Sequence, residues 1–138
     1  MTRIVRQYRV AVKPGDRKIR TGASGRQNFA VWLQRESGPA LRATDAQAVA
    51  GERLFLASGC GGCHTVRGTS ANGTIGPDLT HVGGRLSLAA ATLEQSEVAL
   101  ARWIVDNQHI KPENLMPPFA IFKPEELQAL VAYLAALR

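Results

Sequence analysis

Cys60 and Cys63, in the pentapeptide CGGCH with His64 directly behind the second thiol, are the only cysteines of the chain. Their spacing can serve three chemistries. A structural zinc needs four ligands, usually including a second pair at similar spacing. No other cysteine exists to supply one, and His81 and His109 stand at distant, unrelated positions. A dithiol that exchanges with disulfides sits at a helix start after a β-strand. Here the motif follows a helical pattern, and no alternation of strand and helix surrounds it. The third chemistry is covalent attachment of haem, for which CxxCH is the recognised signature. Two thiols at this spacing can add across the two vinyl groups on one porphyrin edge, and the adjoining histidine is then held at the iron. The small Gly61 and Gly62 let the backbone run close to the ring. The expectation is one haem c, bound through Cys60 and Cys63, with His64 as an iron ligand.

Helices must carry these residues. Thr44 with Gln47 three positions on reads as a capping box ahead of AVAGERLFLAS, so a first helix should run to about Ala57 and stop at Ser58 and Gly59. Gly51 within it costs about 1 kcal/mol against alanine unless a neighbour needs the space. Gly51 and Phe55 share a face, which predicts a second helix crossing closely there. Its partner is the last segment. There Pro124 suits the first helical position and Glu125 and Glu126 complement the N-terminal dipole, while Leu127, Leu130, Val131, Leu134 and Leu137 form a core stripe. A middle helix is expected from near Ser96 to between Asn107 and His109, presenting Leu100, Trp103, Ile104 and Asn107. More than thirty irregular residues separate the first and middle helices. A compact domain rarely wraps so long a stretch around nothing, and a flat apolar cofactor would supply the missing core.

The 138 residues, 45% apolar, suffice for one domain with a modest core. Charge is unevenly spread. Residues 1–42 hold ten Lys or Arg against two Asp or Glu, a net of +8, and the remainder holds seven against nine. Residues 1–43 therefore read as a basic arm and residues 44–138 as the domain. The arm can lie on an anionic membrane surface or an acidic partner, or be simply solvated; nucleic acid is the less favoured partner. Within it, residues 4–13 give a weak strand alternation, residues 17–27 read as linker, and Asn28 is a candidate N-cap for one or two helical turns carrying Phe29, Trp32 and Leu33. No apolar run approaches the roughly 18 residues that cross a bilayer, and residues 1–13 do not read as a signal peptide.

The segments AGERLFLASGCGGCHTVRGT, GTIGPDLTHVGGR, LARWIVDNQHIKPENLMPP and EELQALVAYLAAL together resemble class I cytochromes c. More narrowly, they resemble the cytochrome c domain at the C-terminus of subunit II in caa-type haem-copper oxidases. The resemblance covers essentially all of residues 44–138. It implies an all-α fold with three main helices around the haem, behind the irregular basic arm. It also implies that the Pro77 carbonyl accepts from the His64 ring. Met116 lies 52 residues beyond His64 in a loop with Pro112, Pro117 and Pro118, and its position in the motif makes it the expected sixth ligand. Taken alone, a methionine is more often core filler, and His81, His109 or Lys111 are other conceivable ligands. By resemblance Arg85 and His81 lie near the haem propionates, Arg85 neutralising one, and Trp103 hydrogen-bonds to one. Leu79, Ile75, Val82, Leu115 and Phe119 are expected in the apolar haem wall.

With both axial positions filled by protein, the expected task is one-electron transfer; by itself the chain is no catalyst. The resemblance implies a respiratory donor on one side and haem-copper oxidase subunits on the other, in the periplasm or at the outer face of a bacterial inner membrane. Residues 1–43 depart from the pattern, because relatives of this kind carry a copper-binding barrel and a membrane anchor upstream. This leaves a fragment, a split gene or a remodelled subunit as readings. A free-standing shuttle for a dehydrogenase, or a haem sensor or peroxidase with a labile Met116, remain alternatives.

Overall fold

The computed structural model describes residues 23–138, with side chains from residue 28 onward. The expected strand at residues 4–13 lies outside the described residues. The chain divides into two units, one ending at Ser37 and one spanning Gly38–Arg138.

In the first unit, helix α1 (Ala23–Ser37) is longer than the sequence suggested. Asn28 does not cap it but lies inside, and part of the expected linker is helical. The physical reason is local: no proline falls between residues 23 and 37, and Ala, Arg and Gln are strong helix formers that offset a single glycine. Phe29 and Trp32, one turn apart, stack with centroids 5.6 Å apart.

The second unit begins with helix α2 (Ala46–Ala57). Its cap is Asp45, one residue later than the expected Thr44. The Asp45 carboxylate accepts from Gln47 N at 2.9 Å and Ala48 N at 3.1 Å, a contact worth about 1 kcal/mol. A carboxylate also gains from the positive end of the helix dipole, which a hydroxyl does not. The helix stops where expected, with the Ser58 N–H on the Leu54 carbonyl and Gly59 in the left-handed region at φ 79°.

A long irregular segment follows, interrupted by short turns at Cys60–Gly62 and Val82–Gly84 and by a two-residue hairpin, β1 (Ser87–Leu88) with β2 (Leu93–Glu94). Helix α3 (Glu97–Ile110) starts at Ser96, whose Oγ accepts from Ala99 N at 3.1 Å. Asp106 is non-helical inside it (φ −141°, ψ 39°), a break with no sequence signal. Helix α4 (Pro124–Ala136) opens with Pro124, and Glu126 Oε2 accepts from the Lys123 N–H at 2.9 Å.

The core forms where α4 crosses α2. Leu130, Val131, Leu134 and Leu137 are buried as a stripe, while Leu127 is half-buried at its edge. Phe55 and Tyr133 meet across the crossing with ring centroids 5.6 Å apart. Burial of this magnitude contributes about 1.5–3 kcal/mol per large side chain. Leu100 and Ile104 of α3, with Val82 and Leu88, close the same cluster. Ala40 and Ala43, read from sequence as the end of the arm, pack against it, and Ala40 N donates to the Arg67 carbonyl at 2.9 Å.

Candidate haem-attachment site

Gly59 reverses the chain at the end of α2, and the turn Cys60–Gly62 carries the motif. The Cys63 and His64 N–H groups both donate to the Cys60 carbonyl, at 3.2 and 3.0 Å. Both cysteines are half-buried free thiols. Burial pushes the Cys60 thiol above its ordinary value; a local backbone hydrogen bond opposes this and the neighbouring Cys63 adds to it. A disulfide-exchanging pair needs the reverse, a thiol with its pKa depressed. Among the described residues, no three His, Cys, Asp or Glu side chains come together in the manner of a metal cluster.

His64 Nδ1 lies 2.8 Å from the Pro77 carbonyl oxygen. A carbonyl can only accept, so Nδ1 carries the proton and Nε2 keeps its lone pair, the tautomer an imidazole needs to bind a metal through Nε2. The ring lies against the backbone of Gly76. A Cβ at that position would stand 2.4 Å from His64 Cε1 and 2.7 Å from Nδ1, so only glycine leaves room for the imidazole.

The loop presenting Pro77 is tied down from both ends. Gly76 N donates to the Cys63 carbonyl at 2.8 Å, Gly73 N to the Gly61 carbonyl at 3.0 Å, and Leu79 N to the Thr65 carbonyl at 2.8 Å. Thr80, fully buried, accepts from Arg67 N at 2.9 Å on its hydroxyl. Asp78 Oδ1 accepts from Thr80 N at 2.8 Å, and its Oδ2 pairs with the Arg67 guanidinium, whose Nε reaches the Gly38 carbonyl at 3.1 Å. Arg85 donates to the Asp78 main-chain carbonyl. One of its Nη groups is thereby committed to the protein, while the side chain stays exposed.

Partial burial raises the Asp78 carboxyl, but the Thr80 hydrogen bonds and the charges of Arg67 and Arg85 outweigh it and hold the group below its ordinary 3.8. A depressed folded pKa gives stability that is complete above the unfolded value and disappears as the pH falls through the folded one. Asp78→Asn, which keeps an acceptor for Thr80 N, should therefore lower the urea midpoint at neutral pH. The gap to the native chain should close below about pH 4. Urea titrations between pH 2 and 7 measure it, and added salt should shrink the gap because the pair is partly exposed.

Met116 is half-buried and packs at the core's edge. Leu79 and Phe119 are half-buried, and Phe119 stacks on Phe122 at 5.8 Å. Ile75 and Leu115 are 71% and 87% exposed, bare apolar surface that a flat apolar group would cover. Val82, expected in the same wall, is instead 2% exposed within the protein core. Trp103 is half-buried on α3. His81 has both ring nitrogens covered by the protein and without a hydrogen-bond partner, so neither faces an open site. His109 is paired with Asp106 on an exposed surface, and Lys111 is exposed. The donor set, the tautomer of His64 and the bare apolar residues all fit a haem.

Sequence reasoning missed the side chains around Met116. From sequence Asn107 is only a position on a helical face, and nothing in the spacing marks Gln108 or Asn114. Three carboxamides within ten residues of a methionine were the available signal.

A helical domain with a thiol pair and an imidazole at the end of its first long helix is the architecture of a haem-carrying protein. The Cytochrome c family matches residues 48–138, and the chain belongs to it. The family implies haem c, and Cys60, Cys63 and His64 fit its CxxCH attachment motif. The chain is also similar to two proteins named Cytochrome c oxidase subunit 2. One is from Alkalihalophilus pseudofirmus strain OF4, 34% identical over 113 residues. The other is from Bacillus sp. strain PS3, 31% identical over 118 residues. Each match covers 82% of this chain, which spans about a third of the length of either relative (32% and 33%).

Proposed function

We propose that this chain is the electron-entry component of a cytochrome c oxidase, in which Cys60 and Cys63 would hold one haem c and His64 and Met116 would ligate its iron. The observation that carries the reading is the His64 Nδ1 to Pro77 carbonyl bond at 2.8 Å, which leaves Nε2 as the donor beside the two attachment thiols. Haem c, when bound, supplies reversible one-electron exchange at its iron. The remaining roles belong to the polypeptide. Cys60 and Cys63 tether, the Pro77 carbonyl raises the basicity of the imidazole, and the Met116 thioether, a soft neutral donor, favours the reduced state. Leu79, Ile75, Leu115 and Phe119 exclude water, and Arg85 and Trp103 offer donors to the propionates. The unit Gly38–Arg138 is the electron-transfer domain, and the basic residues ahead of it suit an anionic membrane surface.

The similarity to oxidase subunit 2 supports a respiratory donor and haem-copper oxidase subunits as partners, at the outer face of a bacterial inner membrane. The chain itself then performs no catalysis. The oxidised holoprotein should show the sulfur-to-iron charge-transfer band at the red edge of the visible spectrum, and Met116→Leu should abolish it and lower the reduction potential. A native spectrum without that band, with rapid carbon monoxide binding at neutral pH, would favour a sensor or peroxidase. Failure to co-purify with oxidase subunits would favour a free shuttle.

A further inference from the structure

Both backbone polar groups of Met116 are held by side-chain amides. Its N–H donates to Asn114 Oδ1 at 2.9 Å, and its carbonyl accepts from Gln108 Nε2 at 3.1 Å. Gln108 Nε2 also reaches the Asn114 carbonyl at 2.9 Å and Asn107 Oδ1 at 3.2 Å. Asn107, fully buried, donates to the carbonyl of the next residue in the loop, Pro117, at 3.2 Å. Asn114 Nδ2 closes the circuit on Asn107 Oδ1 at 3.1 Å, the Asn107 carbonyl at 3.2 Å and the Lys111 carbonyl at 2.8 Å. The side-chain oxygens of Asn107 and Asn114 each face a donor and every NH2 faces carbonyls, so the partners fix the orientation of all three amides.

We propose that Asn107, Gln108 and Asn114 are positioning residues that clamp the Met116 loop and thereby set how long the thioether stays on the iron. The proposal rests on the axial-ligand reading above. Proline restricts φ within the loop, but its ring offers no hydrogen bond that would anchor the loop to the rest of the fold. The amides do anchor it. Asn107 and Gln108 sit in the last turn of α3, directly after the non-helical Asp106, and the Phe119 N–H returns to the Ile104 carbonyl of the same helix at 2.8 Å. The methionine is thus fixed to a helix whose Leu100 and Ile104 belong to the core. Displacing it requires breaking shared hydrogen bonds around a fully buried asparagine, which strengthen one another and leave orphaned groups when one is lost.

Gln108→Met keeps side-chain length and removes the donor, and Asn114→Ala removes the acceptor of the Met116 N–H. Leu88→Ala, a core truncation on the β1–β2 hairpin rather than on α3 or the Met116 loop, serves as a control for general loss of stability. In the holoproteins, the charge-transfer band of the two clamp variants should bleach on heating well below the loss of helical circular dichroism. Carbon monoxide binding to the reduced form should accelerate about tenfold, the weight of one hydrogen bond to a buried partner. In Leu88→Ala the band should persist until the helices melt. Amide hydrogen exchange provides a readout independent of the iron: the Met116 N–H should be protected in the native chain and lose protection selectively in Asn114→Ala. Clamp variants whose band and helices melt together, with native carbon monoxide rates and native Met116 exchange, would overturn the clamp while leaving ligation intact. A native spectrum without the band overturns the ligand reading instead, whatever the exchange data show.

Discussion

Protein with Cys60 and Cys63 both replaced by alanine, matured in a host that ligates haem, is expected to carry no covalent haem and to show the mass of the bare polypeptide. The chain contains no other cysteine, so no second attachment route exists. Either single variant should keep one thioether and a reduced yield of coloured protein. The double variant should also be far less stable than the native holoprotein, because anything that binds only the folded chain adds its binding energy to folding. Tethering makes that contribution independent of free haem concentration. Intact mass after acid extraction, with thermal unfolding alongside, measures both effects. Native protein that matures folded and colourless at the bare mass would remove the basis of the functional reading.

Gly51→Ala should destabilise the domain strongly, although alanine is the better helix former. Propensity alone favours the substitution by about 1 kcal/mol. The crossing opposes it: a Cβ on residue 51 would lie 1.9 Å from the Ala129 carbonyl oxygen and 2.8 Å from Tyr133 Cβ. The nearest obstacle is backbone, which cannot swing aside as a flexible side chain can, so α2 and α4 must move apart. That movement disturbs the Phe55 and Tyr133 contact and the burial of Leu130. Overpacking of this kind costs about 1–3 kcal/mol and occasionally more, a large share of the 5–15 kcal/mol roughly typical of a domain. The expected result is a fall of about 2 kcal/mol or more in unfolding free energy, read from chemical denaturation of the holoprotein. Arg53→Ala, on an exposed neighbour, should be near neutral. A stabilised Gly51→Ala would show that the helices do not approach as closely as described.

Several elements were legible without coordinates because their causes are local. Ser96 and Pro124 mark helix starts through backbone chemistry that depends only on neighbours, and Ser58 with Gly59 marks a stop in the same way. The Gly51 crossing was legible too, since a glycine placed at a cost on an apolar face implies something close against it. Local rules also erred by small steps. Thr44 and Asp45 both suit a cap, and the carboxylate took the position. The length of α1 was missed because one glycine and several charges resemble a linker when no proline is needed to end it.

The chemistry of the site divides along the same line. CGGCH and its neighbours in sequence identify the cofactor class, because attachment depends on residue types at a fixed short spacing. Which groups support the candidate ligands His64 and Met116 was decided only in three dimensions. The Pro77 carbonyl on His64, Arg67 and Arg85 on the segment around Asp78, and the amides around Met116 join residues brought together by chain reversals. Such contacts are made by loops, whose paths follow no hydrophobic period and are set by where the helices they connect come to rest. Motif spacing is a property of the covalent chain, while an outer shell of hydrogen bonds exists only once the helices have packed.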